Sequence, residues 1–145
     1  MSDPVTVRPA TEADIDSISR LMEELGYPST PEQVRMRLAR VAGDDRYSAH
    51  VAEVDGAVAG FLGLQTGWAY EHDEPFARII SLVVDARVRR RGVGAALVRF
   101  AEGWARERGA YGVTLTTNVR REEAHRFYEA VGFSRTGYRY ARSLD

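Results

Sequence analysis

Residues 82–97 read Leu-Val-Val-Asp-Ala-Arg-Val-Arg-Arg-Arg-Gly-Val-Gly-Ala-Ala-Leu, and this stretch decides the fold. An apolar strand leads through a short basic loop to two closely spaced glycines, which open an amphipathic helix. A glycine-rich turn lets backbone N–H groups converge, and the first turn of a helix leaves its amides unpaired. Because the helix dipole adds partial positive charge at the same place, the stretch predicts a diphosphate site.

Other nucleotide-binding motifs fit this stretch less well. The Rossmann fingerprint needs a third glycine and an acidic residue about 20 residues on, where this chain has Thr117-Asn118. The P-loop is excluded, because no Gly-Lys-Ser/Thr follows the glycines. The simplest alternative is a solvated basic turn, in which Arg87 and Arg91 lie on the rim and the glycines only tighten the connection.

Composition narrows the class of protein. The chain has 145 residues with 44% hydrophobic content, which predicts one domain over residues 1–145. Basic and acidic residues nearly cancel to a net charge of −1, so neither nucleic acid nor a membrane is an expected partner. With no cysteine and only scattered histidines at positions 50, 72 and 125, no metal site is expected. No apolar run approaches the roughly 18 residues of a membrane span, and we expect a cytoplasmic protein.

Strand and helix signals alternate in the order β-α-α-β-β-β-α-β-α-β. Thr30-Pro31-Glu32-Gln33 predicts a helix start by a capping box with proline at the first helical position. Asp55-Gly56 predicts a type I′ hairpin turn. The predicted strands cover residues 5–8, 47–54, 57–66, 77–84, 113–118 and 133–144, the last of them in one piece or broken at Gly137.

Two segments carry a resemblance to a known family. The spacing Arg89-x-x-Gly92-x-Gly94 resembles the pyrophosphate loop of the GNAT N-acetyltransferases. The strand over 113–118 and the helix over 122–133, ended by a glycine, follow in the order of a second GNAT segment. The resemblance covers essentially the whole chain. It implies a fold that combines helices and strands, α/β in the broad sense and α+β in the narrower one. The central sheet is expected to be mixed and strongly twisted, with helices on both faces.

The resemblance also implies an activity, which is acetyl-CoA-dependent transfer to a primary amine. The segment around 117–128 is especially similar to aminoalkylphosphonate and aminoglycoside 6′-N-acetyltransferases. By resemblance it mostly serves the cofactor and says little about the acceptor, which we expect to be a small molecule. By resemblance, the pantetheine arm of the cofactor pairs with main-chain groups of the fourth strand, and the diphosphate lies on the glycine loop. The residues expected to bind the cofactor are Leu82, Val83, Val84, Arg89, Arg90, Arg91, Gly92, Val93, Gly94, Ala95, Asn118, Phe127 and Tyr128. An Asx turn before the next helix, which needs no ligand, explains Asn118 equally well.

Tyr128 is the expected general acid, because a phenol can protonate a departing thiolate and the family places a tyrosine here. The alternative is an aromatic core residue beside Phe127. The fourth strand, Arg78-Ile79-Ile80-Ser81-Leu82, lacks the carboxylate that serves many family members as base. Glu71 and Glu74 in the next loop upstream are the candidates. Three aromatic residues, Tyr27, Trp68 and Tyr70, are expected to bind the acceptor amine.

Other functions stay open from the sequence. A peptide or protein amine is an alternative acceptor, and the missing carboxylate also permits a degenerate acetyl-CoA sensor. A nucleic-acid-binding module built on the arginine run is disfavoured by the balanced charge. If the protein oligomerises, a homodimer that buries the last strand or the Trp68 loop is expected.

Overall fold

The computed structural model describes residues 4–89, 91–117 and 120–144. The chain falls into two compact units, Met1–Thr114 and Leu115–Asp145. The first unit contains a five-stranded sheet in which neighbours in sequence are neighbours in space. Its elements are β1 Thr6–Pro9, α1 Ile15–Leu25, α2 Pro31–Val41, β2 Tyr47–Val54, β3 Ala57–Gly67, β4 Phe76–Val84, α3 Val93–Glu107 and β5 Val113–Thr114. The second unit contains α4, Glu122–Ala130.

The sheet is mixed, as predicted. Strands β1 to β4 pair antiparallel in sequence order. Strand β5 returns parallel to β4 and pairs only with Ala77 and Arg78. The register of β3 against β4 shifts between Gly63 and Leu64, so that Ile80 has no partner on β3 and forms a bulge. Such a bulge bends a strand and redirects its main-chain groups.

Helices cover both faces of the sheet, which confirms the predicted layers. Val51, Phe61 and Val83 pack with the apolar stripe of α1. The ring of His50, the preceding residue on β2, instead lies 4.3 Å from the ring of Phe100 on α3. Because neighbouring residues of a strand point to opposite faces, α1 and α3 lie on opposite sides.

Local signals predicted the turns and helix starts correctly. Thr30 and Gln33 form the capping box of α2, with bonds of 2.9 and 3.1 Å. Asp55 and Gly56 both have positive φ angles, 54° and 77°, as a type I′ turn requires. A 3₁₀ turn over Glu12–Asp14 precedes α1.

The last two predicted strands differ from the structure. Strand β5 ends at Thr114, and residues 115–117 are not part of a strand. Residues 133–144 contain no strand, although their sequence has strand-forming residues. Strand propensity is realised only where a neighbouring strand accepts the hydrogen bonds and one face is covered. Tyr138 and Tyr140 are instead 85% and 91% exposed, so this segment buries no side-chain face there.

Candidate functional site

The start of α3 is built to receive an anion. The helix begins after Gly92, whose φ of 83° suits glycine and whose missing side chain cannot cap the helix. The first helical bond runs from the Ala96 N–H to the Gly92 carbonyl. The amides of Val93, Gly94 and Ala95 therefore have no partner within the helix.

The charge pattern at this helix start is also distinctive. Helices α1, α2 and α4 each have an acidic residue in the first turn, where it offsets the helix dipole. Helix α3 has none. Its positive end is consequently left open to a negatively charged ligand, and the predicted diphosphate fits the amides present.

Strand β4 presents main-chain groups along the edge that β5 leaves open. The Asp85 N–H donates to the Ala59 carbonyl on β3 at 2.8 Å. Because main-chain groups alternate along an antiparallel ladder, those of Val83 also face β3, while those of Leu82 and Val84 point away from it. Strand β5 reaches only Arg78, so within the described residues no strand pairs with this edge from Ile79 onward.

Val83 differs from its two neighbours. The sequence resemblance placed the main chain of Leu82, Val83 and Val84 together on the pantetheine arm. The main-chain groups of Val83 are directed to β3, and its side chain is buried in the cluster beside α1. Of these three residues, Leu82 and Val84 have main-chain groups directed away from β3, and Val83 is part of the core.

Asp85 organises the loop between β4 and α3, a role that the sequence reasoning missed. Its buried carboxylate accepts from the Arg87 backbone N–H at 2.9 Å and from the Arg87 guanidinium at 2.7 Å. These hydrogen bonds lower the pKa of Asp85 to about 2. Arg20 of α1 adds a weaker contact at 3.8 Å. Arg87 thus stabilises the loop through the Asp85 carboxylate.

Stability should report the Asp85 interactions through acid pH. A lowered pKa stabilises the folded state above the ordinary carboxyl pKa near 4, and this contribution disappears as pH falls towards 2. We expect Asp85→Asn, which keeps an acceptor for the Arg87 N–H, to lower Tm by about 5 °C at pH 7. The difference from the parent should close between about pH 4 and pH 2. Thermal unfolding measured across that range checks this, and a difference independent of pH would contradict it.

The other arginines of the loop differ in their surroundings. Arg89 is exposed directly before the loop turns towards α3. Arg91 is half-buried, and its guanidinium lies 3.5 Å from the Asp55 carboxylate in the β2–β3 turn. Arg90 and Asn118, which were also expected to bind the cofactor, lie outside the described residues.

The residues expected to bind the acceptor lie in two loops. Tyr27 follows α1, and Trp68 and Tyr70 follow β3; all three are exposed. Within the described ranges no ring contact joins them. Glu71 and Glu74 are exposed in the same loop as Trp68. That loop is fixed near its end, where the His72 ring stacks on Tyr111 at 3.9 Å and the Tyr111 N–H donates to the Pro75 carbonyl.

Tyr128 lies in the second unit, on α4. Its ring makes edge contacts with Phe127 at 5.2 Å and Phe133 at 5.8 Å between centroids. Burial raises the pKa of Tyr128 above the ordinary tyrosine value, so the phenol keeps its proton at neutral pH. These packing contacts are those that the core alternative expected. A protonated phenol is also what a general acid needs.

Among the described residues no group of three or more histidines and carboxylates is close enough to hold a metal ion. In that same part of the chain, no helix combines the length and apolar character that crossing a membrane requires.

Comparison with known proteins agrees with this geometry. The model of the acetyltransferase (GNAT) family matches residues 14–133. Aminoalkylphosphonate N-acetyltransferase of Salmonella typhimurium is 32% identical over 139 residues, which cover 95% of this chain and 90% of the relative. Aminoglycoside N(6′)-acetyltransferase type 1 of Serratia marcescens is 24% identical, covering 85% and 87%.

Solved structures show the same fold. An aminoglycoside N-acetyltransferase in complex with CoA superposes with a TM-score of 0.86 at 16% identity, covering 99% of this chain and 97% of the other. A GNAT family acetyltransferase of Staphylococcus aureus gives 0.83 at 20% identity, covering 99% and 100%. The predicted α+β fold is thereby confirmed, and so is the resemblance to the GNAT family that two segments of the sequence carry. This chain belongs to the GNAT acetyltransferase family and is an N-acetyltransferase of that family.

Proposed function

We propose that this protein transfers the acetyl group of acetyl-CoA to the primary amine of a small molecule, by direct attack in a ternary complex. The observation that carries the proposal is the start of α3, where uncapped amides and an absence of acidic residues follow the open edge of β4. A ligand with a diphosphate at one end and amide groups along its arm would use both features. The family and the CoA complex of a related fold support this ligand.

The main chain would hold the donor. Residues 89–95 would bind the diphosphate, mainly through the amides of Val93, Gly94 and Ala95, with Arg89, Arg90 and Arg91 supplying charge. Leu82 and Val84 would pair with the pantetheine arm, and the Leu82 N–H would face the thioester oxygen. Asn118 and Phe127 are proposed as further contacts, by resemblance. The bound donor supplies an acetyl thioester as the acylating group.

Two proton transfers accompany the reaction. The acceptor ammonium must lose a proton before its nitrogen attacks the thioester carbon, and the departing sulfur must gain one as the carbon–sulfur bond breaks. Tyr128, a phenol that is protonated at neutral pH, is proposed to donate to the sulfur. Glu71 and Glu74 are proposed to accept the ammonium proton. Both are exposed, so the proton could continue into solvent.

A small-molecule acceptor is favoured by the relatives, which are named for aminoalkylphosphonates and aminoglycosides. Tyr27, Trp68 and Tyr70 would offer ring faces to a cationic amine, with the acidic stretch around Glu71 beside the latter two in sequence. The same loops lack a basic cluster for a phosphonate group. A peptide amine and a non-catalytic acetyl-CoA sensor are the competing functions.

Thiol release from acetyl-CoA, screened against small amines and short peptides, tests the proposal. Release with a small amine and formation of its N-acetyl product would support it. Release with peptides alone would favour the peptide acceptor. Binding of CoA by calorimetry with no release for any amine would favour the sensor, and no binding of CoA would reject the donor itself.

The organisation of the protein is part of the same proposal. The family model spans residues from both compact units, which supports one catalytic domain over residues 1–145. The cytoplasm is the proposed compartment, since acetyl-CoA is made and used inside cells.

A homodimer is proposed to form through the exposed aromatics of the Trp68 loop or of residues 133–144. We expect light scattering at high micromolar concentration to give twice the 16.2 kDa chain mass. A monomer mass under those conditions would contradict the dimer.

A further inference from the structure

Gly60 occupies a position on β3 where there is no room for a side chain. An ideal Cβ at Gly60 would lie 3.1 Å from Val93 Cγ1, 3.1 Å from Leu97 Cδ1 and 3.2 Å from the Val83 carbonyl oxygen. The residue pairs with Val84 on β4 and with Ala52 on β2, where a register shift leaves the neighbouring Ala59 without a partner on β2. What glycine provides here is space, not an unusual backbone conformation.

The neighbours of Gly60 have little freedom to move aside. Val93 and Leu97 are 1% and 0% exposed. Val93 is β-branched, which restricts its rotamers in a helix. The third neighbour is backbone on β4. A Cβ at Gly60 would therefore move the first turn of α3 away from the sheet by a few tenths of an ångström.

Gly60 lies between the two parts of the proposed donor site, which are the first turn of α3 and the main chain of β4. Val93 begins the turn whose amides would hold the diphosphate. Val84, the direct partner of Gly60, carries main-chain groups that would hold the pantetheine arm. We propose that Gly60 is a positioning residue, which sets the distance between these parts so that one ligand can bind both. The inference rests on the proposed donor site.

Gly60→Ala tests this through ligands of different length. We expect the Kd of CoA, measured by calorimetry, to rise about tenfold, because sub-ångström misplacement already weakens a two-point fit. Pantetheine lacks the diphosphate and would contact only the main chain of β4. Its Kd, measured by competition with CoA, should therefore change less than about twofold. Val51→Ala is the matched control, since it loosens the core on the opposite face. It should lower Tm and leave the Kd of CoA unchanged.

A second-site change separates positioning from loss of stability. Val93→Ala removes one of the methyl groups that the new Cβ would meet. In Gly60→Ala/Val93→Ala we expect CoA affinity to recover towards that of Val93→Ala, while Tm stays below that of the parent. If Gly60→Ala does not fold, the Kd of CoA for the double variant is compared with that for Val93→Ala, and the comparison still tests the positioning role.

Three outcomes would overturn the inference: CoA affinity unchanged in Gly60→Ala, an equal loss for pantetheine, or no recovery in the double variant. Failure of the parent protein to bind CoA would instead reject the proposed donor. The two failures are therefore distinguishable.

Discussion

Tyr128→Phe should lower the kcat of acetyl transfer by about 100-fold, with a smaller change in KM. The variant deletes the hydroxyl and keeps the ring that contacts Phe127 and Phe133. An ordinary phenol is already protonated in the neutral range, and burial raises the pKa of Tyr128 further, so the parent has a proton to donate and the variant has none. Stability and CoA affinity should change little. Steady-state kinetics on the identified amine give the measurement.

The matched control is Tyr140→Phe, the same substitution at a tyrosine that is 91% exposed. Its kcat should equal that of the parent. If Tyr128→Phe turns over within about threefold of the parent, with chemistry shown to be rate-limiting, Tyr128 has only the packing role visible in its ring contacts. Solvent would then supply the proton.

Gly94→Asp should raise the Kd of CoA by at least about 100-fold, or about 2.7 kcal/mol. The substitution places a carboxylate in the first turn of α3, among the amides proposed to hold the diphosphate. Two like charges about 4 Å apart repel by about 4 kcal/mol near a protein surface, which exceeds the required effect. An acidic residue in a first turn also offsets the helix dipole, so the folded state should not be destabilised by the charge itself.

Gly103→Asp is the control for this charge change. Gly103 lies later in the same helix, and a Cβ there would meet no atom within 4 Å. Calorimetry should find near-parental CoA affinity for Gly103→Asp and none measurable for Gly94→Asp. Equal affinities for the two variants would place the diphosphate elsewhere.

Features encoded in a few adjacent residues could be predicted from the sequence. The capping box at Thr30 and the turn at Asp55-Gly56 have the predicted geometry, because their hydrogen bonds and φ angles depend on neighbours in the chain. The strand–loop–helix stretch over 82–97 is in the same class. Its uncapped helix start follows from the absence of a side chain at Gly92.

Features that depend on distant residues could not be predicted in this way. The bulge at Ile80 is a property of the register between β3 and β4, and the register gives Val83 a different role from Leu82. The need for glycine at position 60 becomes visible only when Val93 and Leu97 are seen to pack against it. The Asp85–Arg87 pair is not predicted, because an arginine run is compatible with ligand-binding charge and with a solvated rim, and neither interpretation gives Arg87 a partner. Strand propensity over 133–144 could not reveal the lack of a strand there.

The stretch of β4 with which no strand pairs in the described parts of the chain has a cost for the protein before any donor binds. Main-chain groups that point outward from a sheet are a template on which a strand of another molecule can add, and such addition is how edge strands start aggregation. Leu82 and Val84, with apolar side chains, offer such a template on the edge that β5 does not reach. A bound pantetheine arm would take the place of the missing strand. Donor supply would then protect the protein from self-association as well as provide the acetyl group.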